Sequence, residues 1–504
     1  MVRCFVLAAA AALMLGPTVR AQESPQKTTI QAGYGTVTLG GVQWQRFSFR
    51  PDIPIGKIGI GLDMELFIDN NGKISDEGWD FSSTSQTWDT VLRKIYYVRY
   101  GQKSDRFHAR AGALDDVTLG YGLIMDGYRN TLNYPGDKKL GLEFALSDIG
   151  TFGLGVEGMV NSFGDLQNKG AVVGLRVSAR PLKPSDLPLL NKLIFGATFV
   201  RDINQYAGLK DSDDDGYPDF EDGFPNNKNL WLDTDHDGVT DSKDPDADGD
   251  GLTDFVWDNG VHGFDTNVKS AQLIDIKHQK NGVTVWGLDA GIPVLEGPVR
   301  LDVYGQYAKI HTGEKAIEGG WGTTMPGMQL TAGRFLGRLE YRHFEGAFRP
   351  RYFDNLYENE RVTLVGNSVT TKDRSLPDMT LNGAYGLARY NFFDLVSAEA
   401  TYQNMTGDRT YQDLIGKVKV LDRVLQHIPK ISLAEGYYYN TYVDTDTYNL
   451  FDITGNTFYG TRLGISLTQG VSIVWDTRFS FTPNGRGGFE RHRFVGIETV
   501  MSVR

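Results

Sequence analysis

Apolar and polar residues alternate with a period of two along most of this chain of 504 residues. Successive side chains of a β-strand point to opposite faces, so such alternation predicts strands with one apolar and one polar face. Helical spacing of about 3.6 residues is scarce, and we therefore predict an all-β chain. The clearest apolar faces are Ile58, Ile60, Leu62, Met64, Leu66 and Ile68; Ala171, Val173, Leu175 and Val177; Tyr459, Leu463, Ile465 and Leu467; and Val471, Ile473, Trp475, Thr477, Phe479 and Phe481.

Two architectures produce this pattern. A soluble β-sandwich or β-helix buries the apolar faces, whereas an outer-membrane barrel turns them toward lipid. The alternating segments are roughly 10–12 residues long, which is enough for a tilted strand to cross a bilayer. The 60 glycines lie largely on the polar faces, where a crowded lumen needs small residues. Tyrosine clusters near segment ends suit the aromatic girdles of a barrel. They are Tyr96, Tyr97 and Tyr100, and Tyr437, Tyr438, Tyr439 and Tyr442.

The first residues have the pattern of a secretory leader. Arg3 lies in a short basic region, an apolar run extends from Phe5 to Leu15, and Val19-Arg20-Ala21 suits a cleavage site before Gln22. We therefore predict that residues 1–21 are a signal peptide. The run is too short for a membrane-spanning helix. The single cysteine, Cys4, lies in this leader, so no disulfide or thiolate site is predicted in residues 22–504.

The leader, the alternation and the tyrosine clusters together resemble those of Gram-negative outer-membrane β-barrels. The resemblance implies that residues 22–504 form a transmembrane antiparallel β-barrel in the cell outer membrane. Nineteen strands can be counted, but such barrels have even numbers, so we predict about 18, within 16–20. Two segments leave the count open because each can hold one strand or two. They are Thr28–Phe49 and Ala271–Pro293.

Connections of two lengths alternate along the chain. Barrels of this class have short periplasmic turns and long outer loops. The short candidates are Pro51–Gly56, Gly101–Asp105, Ser147–Gly150, Ile292–Pro298, Asn391–Asp394 and Thr468–Gly470. The long candidates are Asp69–Asp89, Leu114–Lys138, Tyr206–Ser270, His311–Gly322, Gly346–Asp378 and Val443–Asn456. The most unusual stretch, Asp211–Asp258, belongs to a long loop and is therefore predicted to be extracellular.

This stretch contains three copies of the pattern D-x-D-x-D-G-x-x-D, which begin at Asp211, Asp233 and Asp246. Calcium takes six to eight oxygen ligands from a tight loop, and a glycine at position 6 permits the sharp turn. We predict calcium ligands at positions 1, 3, 5 and 9, at the position 7 carbonyl, and at position 12 in the first two copies. They are Asp211, Asp213, Asp215, Tyr217, Asp219 and Asp222; Asp233, Asp235, Asp237, Val239, Asp241 and Asp244; and Asp246, Asp248, Asp250, Leu252 and Asp254.

The repeats resemble thrombospondin type 3 calcium repeats, a resemblance confined to this segment, which implies a structural calcium ion. The alternative is an acidic, solvated linker, because runs of like charge often remain disordered. Residues 211–258 contain 17 acids and 2 lysines, a net charge of −15, against −12 for the whole chain. Removal of Arg3 and Arg20 with the leader gives −14, so the rest of the mature chain is near +1. The acidity therefore belongs to the insert.

The polar faces carry both signs of charge, which indicates a wet channel or an interior filled by ion pairs. Two loops are candidates for a constriction, Phe348–Phe353 and Val117–Gly136, with ordinary surface loops as the alternative. These lumenal charges are Arg176, Arg338, Arg342, Arg462 and Arg478, and Asp63, Glu65, Glu340, Glu399 and Asp476.

No nucleotide-binding, hydrolase or metalloprotease motif is present, so neither an enzyme nor a nucleic-acid partner is predicted. The leading functional prediction is a porin-like channel for small polar solutes with a calcium-stabilised surface loop. The alternative is a surface adhesion or assembly protein in which the barrel is an anchor and the calcium module is the working part. The predicted partners are outer-membrane lipid, calcium, and small polar solutes or surface polysaccharide.

Overall fold

The alternating segments form one antiparallel sheet that closes on itself. The computed structural model describes residues 29–39, 42–69, 72, 94–132, 139–213, 215–249, 251, 274–278, 280–313, 318–365, 368–425, 427–428, 430–443, 452–453, 457–468, 471–483 and 488–503. The predicted signal peptide lies outside these residues. Around the ring the strands are β1 (Thr29–Leu39), β2 (Val42–Ile55), β3 (Ile58–Leu62), β4 (Met64–Ile68), β5 (Ile95–Tyr100), β6 (Phe107–Gly112), β7 (Gly141–Ile149), β8 (Leu154–Val160), β9 (Val172–Ala179), β10 (Ile194–Asp202), β11 (Val283–Leu295), β12 (Val299–His311), β13 (Trp321–Ala332), β14 (Phe335–Glu345), β17 (Leu381–Phe392), β18 (Val396–Gly407), β19 (Tyr411–Val420), β20 (Ile431–Val443), β21 (Phe458–Thr468), β22 (Val471–Pro483) and β23 (Phe489–Val503).

Closure of the ring fixes the parity of the strand count. The first strand pairs antiparallel with the last, with Ile30 opposite Val503. In the described residues the sheet has 21 strand segments. Segments β3 and β4 are two parts of one strand interrupted at Asp63, so the ring has 20 strands. A ring of purely antiparallel neighbours needs an even number, and the all-β barrel prediction of 16–20 strands is confirmed. Thr28–Phe49 contributes to two strands, whereas Ala271–Pro293 contributes to one.

The outer face of the barrel is apolar and exposed. Leu175, Phe199, Leu288, Tyr341 and Trp475 alternate with lumenal residues along their strands, and 43–55% of each is exposed. A soluble β-sandwich would bury such residues, because soluble proteins rarely expose apolar patches larger than a few hundred Å². The inner face is polar: Asp63, Glu65, Arg176, Glu340 and Arg342 are all buried there. The soluble alternative is therefore wrong.

Aromatic girdles are present on the outer face, but only partly at the predicted tyrosines. Near the long-loop ends of β11–β14, ring centres of successive residues lie 5.6, 6.0 and 4.9 Å apart along the row Trp286, Tyr307, Trp321 and His343. Near the short-turn ends, Tyr390 lies 6.4 Å from Phe335 and 4.6 Å from Phe392.

Three of the clustered tyrosines face the lumen, so their predicted girdle role is wrong. Tyr97 shares a face with Gly61, and Tyr437 and Tyr439 share a face with lumenal residues of β19 and β21. Neighbours along a strand must point to opposite faces, so three consecutive tyrosines cannot all reach lipid. Tyr100 is 43% exposed on the outside, as predicted, and nothing is described for the side chain of Tyr442.

Most connections between strands follow the predicted alternation in length, but only two residues separate β1 from β2 at the long-loop end, and 14 residues separate β9 from β10 at the short-turn end. Turns of two or three residues join β2 to β3, β13 to β14 and β17 to β18 at one end, whereas the acidic insert and the connection from β14 to β17 lie at the other. The second of these holds a small hairpin, β15 (Val362–Val365) and β16 (Ser368–Thr371). The described α-helices are short: α1 (Phe163–Gln167), α2 (Tyr357–Glu360) and α3 (Asp422–Leu425). Single 3₁₀ turns cover Leu190–Lys192, Gln205–Gly208 and Lys372–Ser375. Among the described residues, no helix is long and apolar enough to cross a membrane.

The hydrophobic core lies inside the barrel, on one side of it. Two segments, which we call loop A (residues 113–132) and loop B (residues 346–361), enter the lumen and pack on the wall from β8 to β14. Each fully buried large apolar side chain stabilises this packing by roughly 1.5–3 kcal/mol. The core includes Leu114, Leu123, Ile124, Met125 and Tyr128 from loop A; Phe348, Tyr352, Phe353 and Tyr357 from loop B; and Met159, Val200, Val285, Ile310 and Phe344 from the wall.

Candidate functional site: the acidic repeats and the lumen

The three acidic repeats begin with the same local fold. Gly216, Gly238 and Gly251 at position 6 have φ angles of 107°, 91° and 87°, a region that side chains disfavour. In each copy the N–H of this glycine donates to the carboxylate at position 1, over 2.9 Å to Asp211, 3.0 Å to Asp233 and 3.0 Å to Asp246. The predicted turn at position 6 is confirmed in all three copies.

The acids at positions 1, 3 and 5 gather as predicted. Carboxylate oxygens of Asp211, Asp213 and Asp215 lie within 4.8 Å of one another, and those of Asp233, Asp235 and Asp237 do the same. In both copies the acids at positions 3 and 5 accept the N–H two residues further on, over 2.7–3.1 Å. Each of these bonds uses one oxygen of the carboxylate. Together they bend the backbone so that the acids of one repeat surround a common point. In the third copy Asp248 is described, but Asp250, Leu252 and Asp254 lie outside the described residues.

The acids at position 9 close each of the first two repeats onto position 2. Asp219 accepts the backbone N–H of Ser212 over 2.7 Å and its hydroxyl over 2.8 Å. Asp241 accepts the equivalent bonds from Thr234 over 2.8 and 2.7 Å. Both oxygens of each carboxylate are therefore used to close the loop onto position 2. Asp219 and Asp241 thus support the repeat fold, and their role as calcium ligands stays a prediction.

Position 12 completes the first repeat. Asp222 is buried, and its Oδ1 accepts the N–H of Phe224 over 2.7 Å. Its Oδ2 has no hydrogen-bond partner, and neither does one buried oxygen each of Asp213 and Asp215. Burial, followed by the carboxylates of Asp215 and Asp213, raises the pKa of Asp222 to about 6. Buried carboxylate oxygens without donors are costly, and a hard cation satisfies them, so this donor set fits calcium.

In the second copy Asp244 is buried and accepts the N–H of Asp246 over 2.9 Å. The repeats also pack on one another: the Tyr217 and Trp231 rings stack with centres 5.1 Å apart. A Cβ added at Gly249 would lie 2.8 Å from the Asp235 side chain, so the second and third copies are in contact. The ligand roles of the Tyr217 and Val239 carbonyls stay predictions.

Both constriction candidates fold into the lumen, and the surface-loop alternative is wrong for them. Loop A reaches the middle of the wall, where the N–H of Leu123 donates to Gln306 over 3.2 Å and the Tyr121 ring stacks on Tyr304 at 4.1 Å. Loop B adds a parallel partner to loop A, since the N–H of Phe353 donates to the Ile124 carbonyl over 3.1 Å. The part of Val117–Gly136 beyond residue 132 lies outside the described residues.

A buried ionic cluster fixes loop B to three other connections. The fully buried guanidinium of Arg361 donates to Asp202 over 2.8 Å, to the Gly170 carbonyl over 2.8 Å and to the Asn204 carbonyl over 3.0 Å. Beside it, Glu358 accepts from Lys139 over 2.7 Å and also from the Tyr128 hydroxyl. The long loops on this side are thus joined through buried charge.

The electrostatics of this cluster keep Glu358 ionised in acid. Burial alone would raise the pKa of Glu358, but Lys139 and Arg361 outweigh burial and lower the pKa to about 2. A carboxyl with a lowered pKa contributes its full stabilisation above its usual pKa. That stabilisation disappears only as the pH falls to about 2. The contacts that Glu358 makes with Lys139 and Arg361 should therefore persist in mildly acidic media.

The wall behind the loops carries ion pairs. Arg176 forms a bidentate pair with Asp289 over 2.7 and 3.2 Å and also contacts Glu157 at 2.9 Å. Arg342 pairs with Glu340, and Tyr304 donates to Glu340 over 2.5 Å. The predicted lumenal charges are on the inner face, and on this side they fill the interior in pairs.

On the opposite side of the lumen the described residues leave a cavity. A cavity of about 590 Å³ lies against β18–β22, with the cross-strand row Glu399, Lys417, Tyr437, Gly460 and Arg478 on its wall. This row lies on the inner face of the barrel. Leu336 of β14 is paired with Arg389 of β17, and Arg389 is paired with Glu399 of β18, so Glu399 shares the inner face of β14 and β17. We call this space the open cavity. It is bounded by Ser397, Glu399, Lys417, Lys419, Glu435, Tyr437, Tyr439, Phe458, Arg462 and Arg478.

No protein-family model matches the chain, and no curated protein matches it. It is similar to the solved structure of Wzi from Escherichia coli, which is described as an outer membrane protein involved in group 1 capsule assembly and as a carbohydrate binding β-barrel. The two sequences are 11% identical, and the TM-score is 0.34. The match covers 98% of this chain and 91% of that chain. The chain is also similar to the FrpB iron transporter from Neisseria meningitidis, with 9% identity, a TM-score of 0.37, and coverage of 96% and 75%. OccK11 from Pseudomonas aeruginosa shows 10% identity, a TM-score of 0.31, and coverage of 94% and 95%.

Proposed function

We propose that the protein is an outer-membrane channel for small polar solutes whose passage follows the open cavity. The observation that carries this proposal is the uneven filling of the lumen: loops A and B occupy the side from β8 to β14, and charged side chains surround about 590 Å³ of space against β18–β22. The exposed apolar belt and its girdles support a place in lipid. Mixed charges on a wet wall suit polar solutes.

Site-directed thiol blocking tests the passage, since Cys4 is the only cysteine of the chain and is replaced by serine in all variants. Ser397 lies on the cavity wall, whereas its neighbour Ala398 faces outward. In planar bilayers, a bulky thiol reagent should lower the conductance of Ser397→Cys by more than about half, because it narrows the open side. The matched control Ala398→Cys should keep its conductance. Equal block in both variants would contradict the proposed path.

A second candidate function is that of an anchor. The buried core inside the barrel favours it, because packed loops fill one side of the lumen. In that case the native protein would carry no current in bilayers, and the acidic insert would be the working part, in contact with other surface molecules.

We further propose that the acidic repeats bind calcium. Two observations support this proposal. Asp213, Asp215 and Asp222 each have a buried carboxylate oxygen that accepts no hydrogen bond from the described residues, and the acids at positions 1, 3 and 5 of the second copy lie close together. When bound, calcium would supply positive charge to these oxygens and order the insert. The ligand set that fits it is Asp211, Asp213, Asp215 and Asp222 in the first repeat, and Asp233, Asp235, Asp237 and Asp244 in the second.

Calorimetry of the full protein in detergent should detect calcium binding, with dissociation constants on the order of 0.1–1 mM, the range of extracellular modules. Asp213→Ala together with Asp235→Ala should weaken binding at least about tenfold, because each removes a ligand from one gathered set. The control Asp186→Ala with Glu318→Ala removes equal charge elsewhere and should leave the affinity unchanged. Heats no larger than those of dilution would end the calcium proposal.

We propose that the long-loop end, with its insert, lies outside the cell. Outer-membrane barrels place short turns in the periplasm. An epitope inserted after the exposed Asn227 should be accessible to antibody on intact cells, whereas an epitope inserted after the exposed Lys57, in a turn of the opposite end, should require permeabilisation. The reverse labelling would invert the topology.

A further inference from the structure

The open cavity contains two lysines whose charge is not neutralised by a neighbour. Lys417 and Lys419 are exposed to the lumen on β19, and neither forms an ion pair with any residue that the structure describes. Their register partners are Glu399 for Lys417 and Glu435 for Lys419. Both carboxylates have other partners, so the lysine ammonium groups stay available.

The remaining charges of the cavity are held in pairs. Arg389 contacts Glu399 at 2.5 Å, Arg462 contacts Glu435 at 2.8 Å, and Arg478 contacts Asp476 at 2.7 Å. With each acid balanced by an arginine, the two lysines leave a net positive charge on this wall. The filled side differs, because its Arg176 and Arg342 are buried against acids.

Aromatic rings lie beside Lys417 on the wall of the open cavity. The Tyr439 and Phe458 rings stack with centres 4.3 Å apart and planes within 8°, and Phe458 is 42% exposed. The Lys417 Nζ lies 5.7 Å from the centre of the Tyr439 ring. Tyr437 is accommodated over Gly460, where a Cβ would lie 2.4 Å from its hydroxyl oxygen. The wall thus offers an apolar ring surface next to positive charge.

We infer that the open cavity binds small organic anions that carry a ring. The ammonium groups of Lys417 and Lys419 hold the carboxylate or phosphate, and the ring packs on the surface formed by Tyr439 and Phe458. Charge-assisted bonds fix the anionic end, whereas stacking favours a ring over an alkyl chain. The inference rests on the proposed channel function in one respect, since it names the class of solute that the passage favours.

Equilibrium binding on the full protein in detergent tests the site without any current. Benzoate should bind. Acetate, which lacks the ring, and benzyl alcohol, which lacks the carboxylate, should each bind at least about tenfold more weakly. Lys417→Ala with Lys419→Ala should weaken benzoate binding by about tenfold or more. The control Lys57→Ala with Lys192→Ala removes equal charge at the short-turn end and should have no effect. Equal affinities for benzoate and acetate, or an unchanged affinity in the Lys417 and Lys419 variant, would overturn the inference.

Bilayer recordings separate this inference from the channel proposal. A conducting barrel in which benzoate neither binds nor interrupts the current would retain the channel and overturn the anion site. A silent barrel that binds benzoate in a lysine-dependent way would retain the site and overturn the channel. Phe458→Leu provides a further check, because it should reduce the preference for benzoate over acetate while leaving acetate binding unchanged.

Discussion

Replacement of Arg361 by methionine is expected to release loop B from the wall and to raise the single-channel conductance severalfold. Methionine fills much of the arginine volume but leaves Asp202 and Glu358 as buried carboxylates that have lost a cation. Removing one partner from a buried ion pair costs about 3–5 kcal/mol. The strands keep their own hydrogen bonds, so the loss should fall on loop packing and leave the barrel closed.

Conductance, together with protease sensitivity of loop B on reconstituted protein, measures this release. The matched control is Arg334→Met, because Arg334 pairs with Asp394 in exposed turns, where such a pair contributes about 0–1 kcal/mol. Combining Arg361→Met with Asp202→Asn should restore part of the packing, because the second change removes the uncompensated charge. If Arg361→Met keeps native conductance and resists protease like the control, the buried cluster does not hold the loop.

The strands of this barrel are readable from the sequence because alternation is a local property. The segment from Val471 to Phe481 alternates and forms β22, and the closing pair of β1 and β23 follows from the even parity of the ring. The tyrosine clusters show the limit of composition, since Tyr437 and Tyr439 face the lumen while Tyr438 faces outward. The alternation of side chains along a strand already indicates that neighbouring tyrosines face opposite sides.

The filled half of the lumen depends on partners that are distant in sequence. Phe353 meets Ile124, and Arg361 meets Asp202 across 159 residues. No local pattern in loop B selects the wall over solvent, because the same arginines and aromatics suit a surface loop. Only the complementary buried carboxylates decide it, and they lie on other connections.

The spacing of acids and glycines in the repeats is predictable from the sequence, whereas the role of each acid is only partly so. In the first two copies the residue at position 2 donates the bonds that close the loop onto the acid at position 9. Ser212 and Thr234 offer a hydroxyl and an N–H to Asp219 and Asp241. The third copy has Ala247 at this position, which lacks the hydroxyl. The residue at position 2 is therefore a sequence signal for loop closure, while the ligand role of the position 9 acids stays a prediction.

Replacing Asp211–Asp258 by a neutral linker is expected to move ion selectivity toward anions while conductance persists. The change removes a net charge of −15 from the long-loop mouth, where it concentrates cations and repels anions. The cavity behind it carries the uncompensated Lys417 and Lys419, so loss of the acidic mouth leaves the positive wall to determine selectivity. Reversal potentials in a salt gradient measure the change, which should be largest at about 0.01 M salt, where the Debye length is about 30 Å.

Calcium should act on the native protein in the same direction as this replacement, because each bound ion cancels two negative charges at the mouth. The replaced protein should not respond to calcium, and Lys417→Ala with Lys419→Ala should shift the reversal potential the opposite way, toward cations. Loss of all current on replacement would mean that the insert forms part of the conducting path and is not a charged rim. An unchanged reversal potential would mean that the insert lies more than a Debye length from the passage, since screening then hides its charge.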